Sequence, residues 1–190
     1  MTPGEVIELI KHSNEEFCRA HESGYFESFR ESQSPLVTLL TCSDSRVHSS
    51  AFLENPDNTV FSVENIGNQV ANSEGSLDYG IYHLHTPVLL IAGHSDCGAI
   101  KAYCAGYDSE LPSIRKELDS LRDALRETEM GSALPERVSA NVRHQAAAAA
   151  IKYSDLILDG KLAVVGGYYD FANDFQEGFG KLKIVSINGR

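Results

Sequence analysis

The stretch Val88-Leu89-Leu90-Ile91-Ala92-Gly93-His94-Ser95-Asp96-Cys97-Gly98 constrains this chain more than any other. Five consecutive apolar residues bounded by Pro87 and Gly93 fit a strand buried on both faces, the kind found in parallel sheets. Open α/β sheets bind ligands just beyond the carboxyl ends of their strands, which is where His94 and Cys97 fall. A second run, Leu36-Val37-Thr38-Leu39-Leu40-Thr41, has the same form and ends in Cys42-Ser43-Asp44-Ser45-Arg46. Laid side by side in parallel, the two strands bring Cys42 next to His94 and Cys97. Loops about fifty residues apart in sequence then supply a Cys2His cluster.

The rest of the chain supplies material for an α/β fold, a central, mostly parallel sheet of four to five strands flanked by helices. Thr2-Pro3-Gly4-Glu5 fits a capping box with proline at the first helical position, followed by Val6, Leu9, Ile10 and Phe17 on one face. Tyr25, Phe26 and Phe29 add aromatic surface that packs on the chain's own body or clamps a partner subunit. A short helix is expected over 49–54, and strands are expected over 59–63, 161–166 and 182–187, the last alternating like an edge. Leu77, Ile81 and Leu84 have the spacing of a crossover helix into Val88. A helix after Cys97, through Ala99, Ile100 and Ala102, points its amides at the site and favours thiolate over thiol. Pro112 opens an amphipathic helix carrying Ile114, Leu118, Leu121 and Leu125, expected to run to Glu129 and fade at Met130-Gly131. Pro135 opens another, through Val138, Val142 and the alanines 146–150, whose small side chains allow close packing on the sheet or on another subunit.

At 190 residues the chain reads as one domain, 1–190, whose first 30 residues form an N-terminal helical arm. A formal net charge of −11 repels phosphate backbones and anionic lipid, which argues against nucleic-acid and membrane partners. No apolar run exceeds six residues, and no basic segment followed by an apolar one opens the chain, so a cytoplasmic location is expected. Four cysteines are too few for a disulfide framework here. Cys42 and Cys97 stand at strand ends, whereas Cys18 and Cys104 lie in helical patterns and read as small buried hydrophobes.

A catalytic zinc takes three protein ligands and keeps one position open, and two thiolates plus an imidazole balance its double charge. Zinc lowers the pKa of bound water from 15.7 toward about 7, so hydroxide becomes available near neutral pH. Asp44 and Arg46 are close enough to pair, guanidinium to carboxylate. Held by Arg46, Asp44 accepts or orients a proton of the bound water; released, it can close the fourth position. His94-x-x-Cys97 alone is weak evidence and Cys42-x-Asp44-Ser45-Arg46 alone fits a surface turn, but together they supply ligand count and charge balance.

These residues resemble the β-class carbonic anhydrases, whose signatures are a Cys-x-Asp-Ser-Arg loop and a later His-x-x-Cys. The resemblance runs from about Ser34 to Cys104 and takes in Gly67-Asn68 and Gly75-Ser76-Leu77-Asp78-Tyr79. It implies Zn2+ on Cys42, His94 and Cys97, with Asp44 and Arg46 as the catalytic pair. It implies reversible hydration of carbon dioxide to bicarbonate and a proton, on a parallel four-stranded sheet with an antiparallel edge strand. The substrate pocket it implies is Gln33, Phe61, Ile66, Tyr79 and the Gly98 backbone, an apolar wall for a linear gas with one amide for an oxygen. It further implies a homodimer or a higher assembly of dimers, in which Phe61 comes from the partner chain. Members with an inhibitory bicarbonate site carry arginine where this chain has Glu64, so regulation through such a site is not expected.

A proton must also leave, and among His48, His83, His85 and His144 the first is the leading shuttle candidate because it follows the Cys42 loop. Two other functions compete. A hydrolase of carbon disulfide or carbonyl sulfide would use the same fold and zinc. A non-catalytic zinc or redox-sensing protein would use the cysteines without needing the Asp44 and Arg46 pair.

Overall fold

The computed structural model describes residues 1–126, 128 and 131–190. The chain forms two compact units, Met1–Ser34 and Pro35–Arg190. In the first, helix α1 (Pro3–Ala20) starts as the capping box requires: Thr2 N donates to Glu5 Oε2 at 2.6 Å and Glu5 N donates to Thr2 Oγ1 at 3.3 Å. Satisfying two otherwise orphaned amides at once fixes where the helix begins. Helix α2 (Ser23–Glu27) follows, and Phe17, His21, Tyr25, Phe26 and Phe29 cluster around it, several of them edge to face.

The second unit holds a five-stranded sheet: β1 (Val37–Cys42), β2 (Val60–Asn65), β3 (Val88–His94), β4 (Ala163–Asp170) and β5 (Lys181–Ile187). The order is β2-β1-β3-β4-β5, parallel throughout except for the antiparallel edge β5. The expected run 161–166 is in fact longer, continuing through Gly166-Gly167 with a register shift to Asp170. Two glycines read as a stop in sequence, but a Cβ at Gly166 would lie 3.0 Å from Val142 and one at Gly167 would lie 2.6 Å from Leu182. They are close-packing positions inside the strand, not its end.

The helix expected over 49–54 is a single tight turn, Ser49–Ala51. Helix α3 (Glu74–Asp78) and a wide turn over Tyr79–His83 make the crossover into β3, burying Leu77 and Ile81. Helix α4 (Gly98–Ala105) leaves β3, and the expected long helix from Pro112 is two short ones, α5 (Pro112–Asp119) and α6 (Arg122–Leu125). Leu118, Leu121 and Leu125 are nevertheless all buried, so the apolar stripe crosses the break intact. The expected extension to Glu129 and Met130 falls outside the described residues, apart from Thr128. Helix α7 (Leu134–Lys152) and helix α8 (Ser154–Leu158) complete the unit. α7 lies against β3 and β4, burying Val138, Val142, Ala146 and Ala149, so the alanines serve close packing on the sheet.

One sheet face therefore carries Leu40, Leu89, Ile91 and Val164, clustered with Leu77 and Ile81 of the crossover and Ala146 and Ala149 of α7. The other carries Leu39, Leu90 and Ala92, beside Phe52, Val165 and Leu182 around a cavity of ≈ 160 Å³. β1 and β3 are central strands buried on both faces, which makes their carboxyl ends rigid platforms. No helix among the described residues is long and apolar enough to cross a membrane.

Candidate metal centre

β1 ends on Cys42 and its neighbour β3 ends on His94, with Thr41 registered against Ala92. Cys97 follows at the tight turn into α4. The sulfurs of Cys42 and Cys97 and a ring nitrogen of His94 all lie within 4.8 Å of one another, on three buried residues. Asp96 takes φ 56° in this turn, the left-handed conformation that aspartate tolerates better than most residues, and this lets the chain fold Cys97 back toward β1.

The hydrogen bonds around the three residues leave their ligand atoms unsatisfied. His94 Nδ1 donates to the Ser95 carbonyl at 2.8 Å; a carbonyl only accepts, so the proton sits on Nδ1 and Nε2 presents a lone pair. That Nε2 is buried and has no hydrogen-bond partner, a costly state for a polar atom unless something else occupies its lone pair. The Cys42 thiol is held down to about 4, chiefly by hydrogen bonding from Cys97; burial opposes this, while His94 and the Gly67 amide reinforce it. Cys97 is pushed far up by the same bond to Cys42 and then by burial, while the Ile100 and Ala99 amides of α4 pull the other way. A divalent cation would take both sulfurs as thiolates and fill the Nε2 lone pair, and the soft sulfur and imidazole donor set suits Zn2+.

Each ligand has its own support. Gly67, at φ 81°, aims its amide at Cys42, and its carbonyl accepts from Asn141 Nδ2 of α7 at 3.0 Å. Beside the cluster, Arg46 grips Asp44 with both arms of its guanidinium, Nε to Oδ1 at 2.8 Å and Nη2 to Oδ2 at 2.7 Å, while its backbone amide also donates to Oδ1 at 3.0 Å. Those bonds from Arg46 hold the Asp44 carboxyl well below the usual carboxylate range, with burial opposing, so it is an anion at neutral pH. Its Oδ2 lies 3.9 Å from His94 Nε2, at the edge of the space the three ligand atoms enclose. Arg46 is fixed further by Asp96, which accepts from Nη1 at 3.1 Å and is itself bonded by Lys101, and by the Phe171 ring 4.9 Å below the guanidinium.

The pocket residues expected from sequence are not gathered equally. Ile66 follows Asn65, which is registered with Cys42, and Gly98 opens α4 next to Cys97, so both are at the metal end. Phe61 and Tyr79 stack on each other with centroids 5.8 Å apart, but Phe61 is registered with Thr38. That is four residues before Asn65, about 13 Å along the strand at about 3.3 Å per residue. Gln33 belongs to the first unit. His48 follows the Asp44 loop and pairs through Nδ1 with Ser50 Oγ. Cys18 and Cys104 correct an expectation: both are exposed, since α1 buries none of its residues and Cys104 lies on the outer side of α4, where Arg137 Nη1 donates to it at 3.2 Å. Ser95, Asp96, Asn141, Asp170 and Phe171 support the site without having been singled out by sequence. Ser95 and Asp96 stand inside the motif itself; Asn141 and Asp170 carry no local signal, because tertiary packing brings them to the site.

A family model described as carbonic anhydrase matches residues 37–176. Among curated relatives, a carbonic anhydrase of Synechococcus elongatus is 34% identical over 103 residues, covering 50% of this chain and 38% of that protein. Beta carbonic anhydrase 3 of Arabidopsis thaliana is 26% identical over 169 residues, covering 77% and 65%. The matched segments span 38%, 46% and 43% of the first three curated relatives. Among solved structures, a Coccomyxa β-carbonic anhydrase in complex with acetazolamide aligns at TM-score 0.76 with 25% identity, covering 95% of this chain and 84% of that one. One of two tetrameric β-carbonic anhydrases from Sordaria macrospora shares the fold at TM-score 0.75 and 21% identity, covering 95% and 96%.

Proposed function

Because the chain belongs to the carbonic anhydrase family, we propose that it catalyses the reversible hydration of carbon dioxide to bicarbonate and a proton, with one Zn2+ held by Cys42, His94 and Cys97. The observation that carries this reading is the buried, partnerless His94 Nε2 facing two sulfurs, with an ionised carboxylate 3.9 Å away. Zn2+ bound there supplies the Lewis acidity that makes water a nucleophile near neutral pH.

The chain's own residues do the remainder. Asp44, kept anionic by Arg46, accepts a hydrogen bond or a proton from the water that attacks carbon and orients it toward substrate. Arg46 fixes the Asp44 carboxylate with paired hydrogen bonds, and Asp96 and Phe171 in turn hold Arg46 in place. The Gly98 backbone and Ile66 border the space where a small linear substrate sits. Phe61 lies four residues down the strand from the metal end of its own chain, which supports a homodimer or an assembly of dimers in which Phe61 and Tyr79 wall the partner's site. Within that assembly, residues 1–190 act as one catalytic domain with an N-terminal arm. A reducing compartment, the cytoplasm, keeps both sulfurs free to bind.

The test is zinc content together with initial rates on carbon dioxide, carbonyl sulfide and carbon disulfide from one preparation. One zinc per chain with the fastest turnover on carbon dioxide is expected. A metal-free yet fully active chain would overturn the reading, and faster turnover of either sulfur compound would make the chain a hydrolase instead.

A further inference from the structure

Ser95 ties the loop that follows β4 to the metal centre. Its backbone N donates to the Tyr169 carbonyl at 3.0 Å, closing the β3 and β4 pairing. Its Oγ donates to Asp170 Oδ1 at 3.1 Å and accepts from the Ala172 amide at 3.2 Å. Its carbonyl accepts from His94 Nδ1 at 2.8 Å. Every polar group of Ser95 is therefore committed, and the residue is fully buried.

At the other end of this chain of bonds stands Asp170, 2% exposed. Its Oδ1 also accepts from the Asp174 amide at 2.7 Å and its Oδ2 from the Phe175 amide at 3.0 Å, so the carboxylate is the hub on which the loop folds. Burial raises its pKa, but the Phe175 and Asp174 amides and the Ser95 hydroxyl outweigh burial and leave it below the ordinary carboxylate value. This buried anion is met by hydrogen-bond donors and has no salt-bridge partner among the described residues. Its contribution is to fix the donors that surround it.

We infer that Asp170 is a positioning residue for the metal: through the Ser95 hydroxyl it locks the Ser95 carbonyl, and that carbonyl sets the tautomer and ring orientation of His94. Metal-binding histidines usually give their second N–H to a carboxylate or a carbonyl, and loss of that partner loosens the metal. Here the carbonyl is the direct partner and the carboxylate acts one residue further out. Phe171, next in the chain, stacks on the His94 ring at 6.0 Å and under Arg46, so the same hub also sets the wall against which the ring rests. The inference rests on the metal reading above.

Zinc affinity by chelator competition and the visible absorption of the cobalt-substituted protein measure the relay directly. Asp170→Asn and Ser95→Ala are each expected to weaken zinc binding about 10- to 100-fold and to shift the cobalt bands. Because both cut one chain of bonds, the double variant is expected to be no weaker than the weaker-binding single variant. Tyr153→Phe, which removes a buried hydroxyl bonded to Asp78 at the other end of the sheet, supplies a destabilised control with wild-type affinity and spectrum. Wild-type affinity and spectrum in both single variants, even with lowered melting temperatures, would overturn the relay, as would losses that multiply in the double variant. Should Asp170→Asn fail to fold, Ser95→Ala alone decides the matter by the same two measurements. A wild-type chain without zinc affinity would sink the metal reading, and the relay with it.

Discussion

At the carboxyl ends of β1 and β3, Cys42, His94 and Cys97 converge within 4.8 Å, supported by directed hydrogen bonds such as those from His94 to Ser95 and from Asn141 to Gly67. At the opposite end of the sheet Phe61 of β2 stacks against Tyr79, and Thr38 Oγ1 of β1 bonds Thr86 Oγ1 at 2.7 Å. The metal end is polar and oriented; the other is a flat aromatic surface with Tyr79 45% exposed. Strand direction explains the difference. In a parallel sheet all the loops that carry chemistry leave from one end, whereas the other end only has to receive crossovers. A site that needs an apolar wall as well as a metal must then take the wall from elsewhere, and a second copy is the simplest source.

Removing a ligand is the most severe way to test the polar end. His94→Ala is expected to lose tight zinc binding and to lower turnover by on the order of 10³ or more, read by metal analysis and stopped-flow hydration. Asp44→Asn separates binding from chemistry: zinc content should stay at wild-type level while turnover falls by about 10² to 10³. Loss of zinc in that variant would make Asp44 a structural group.

The aromatic end is tested by mixing. Phe61→Ala alone is expected to lower turnover about tenfold through a poorly shaped pocket. Co-refolded with Asp44→Asn, it should recover about a quarter of wild-type activity, because half the dimers would then hold one site with an intact Asp44 and an intact partner Phe61. No recovery would place Phe61 in its own chain's pocket and remove the division of labour between the two strand ends.

Smaller effects probe what holds the two ends in register. A Cβ at Gly93 would lie 2.6 Å from Val142 and 2.8 Å from Val138, so Gly93→Ala should destabilise by about 1–3 kcal/mol in urea unfolding by pushing α7 off β3. The acid dependence of the Asp44 pair is smaller still. Arg46 depresses the folded-state pKa of Asp44, so the stability this lends is present above the unfolded value of about 3.9 and disappears as pH falls through the lower folded value. Metal-free Asp44→Asn should therefore melt below wild type at pH 7, and the gap should close in strong acid. A gap independent of pH would mean that the ion pair adds nothing to folding.

Much of the metal end is legible in the order of residues. The five-residue apolar run ending at Gly93 is β3, its twin is β1, and the residues that follow them are the clustered donors. The capping box at Thr2 sets the start of α1 because its partners are three residues apart and need nothing else. The expectations that the structure corrects share a cause. Gly166-Gly167 has the local character of a strand end, since nothing nearby in sequence reveals that Val142 and Leu182 press on those glycines. Ending β4 there hides Asp170, the hub behind Ser95. The helical pattern around Cys104 suggests burial, yet the helix turns that sulfur outward toward Arg137.

From its residue order alone, this chain declares which atoms are available to a metal and that two neighbouring strands deliver them, because the period and length of an apolar run dictate burial, and burial dictates strand ends. How those atoms are held is settled by packing: Asn141 on Gly67, Asp170 on Ser95, Asp96 on Arg46. Those contacts join residues roughly 50 to 75 positions apart through directional hydrogen bonds, and direction is a property of the packed chain, not of any segment of it.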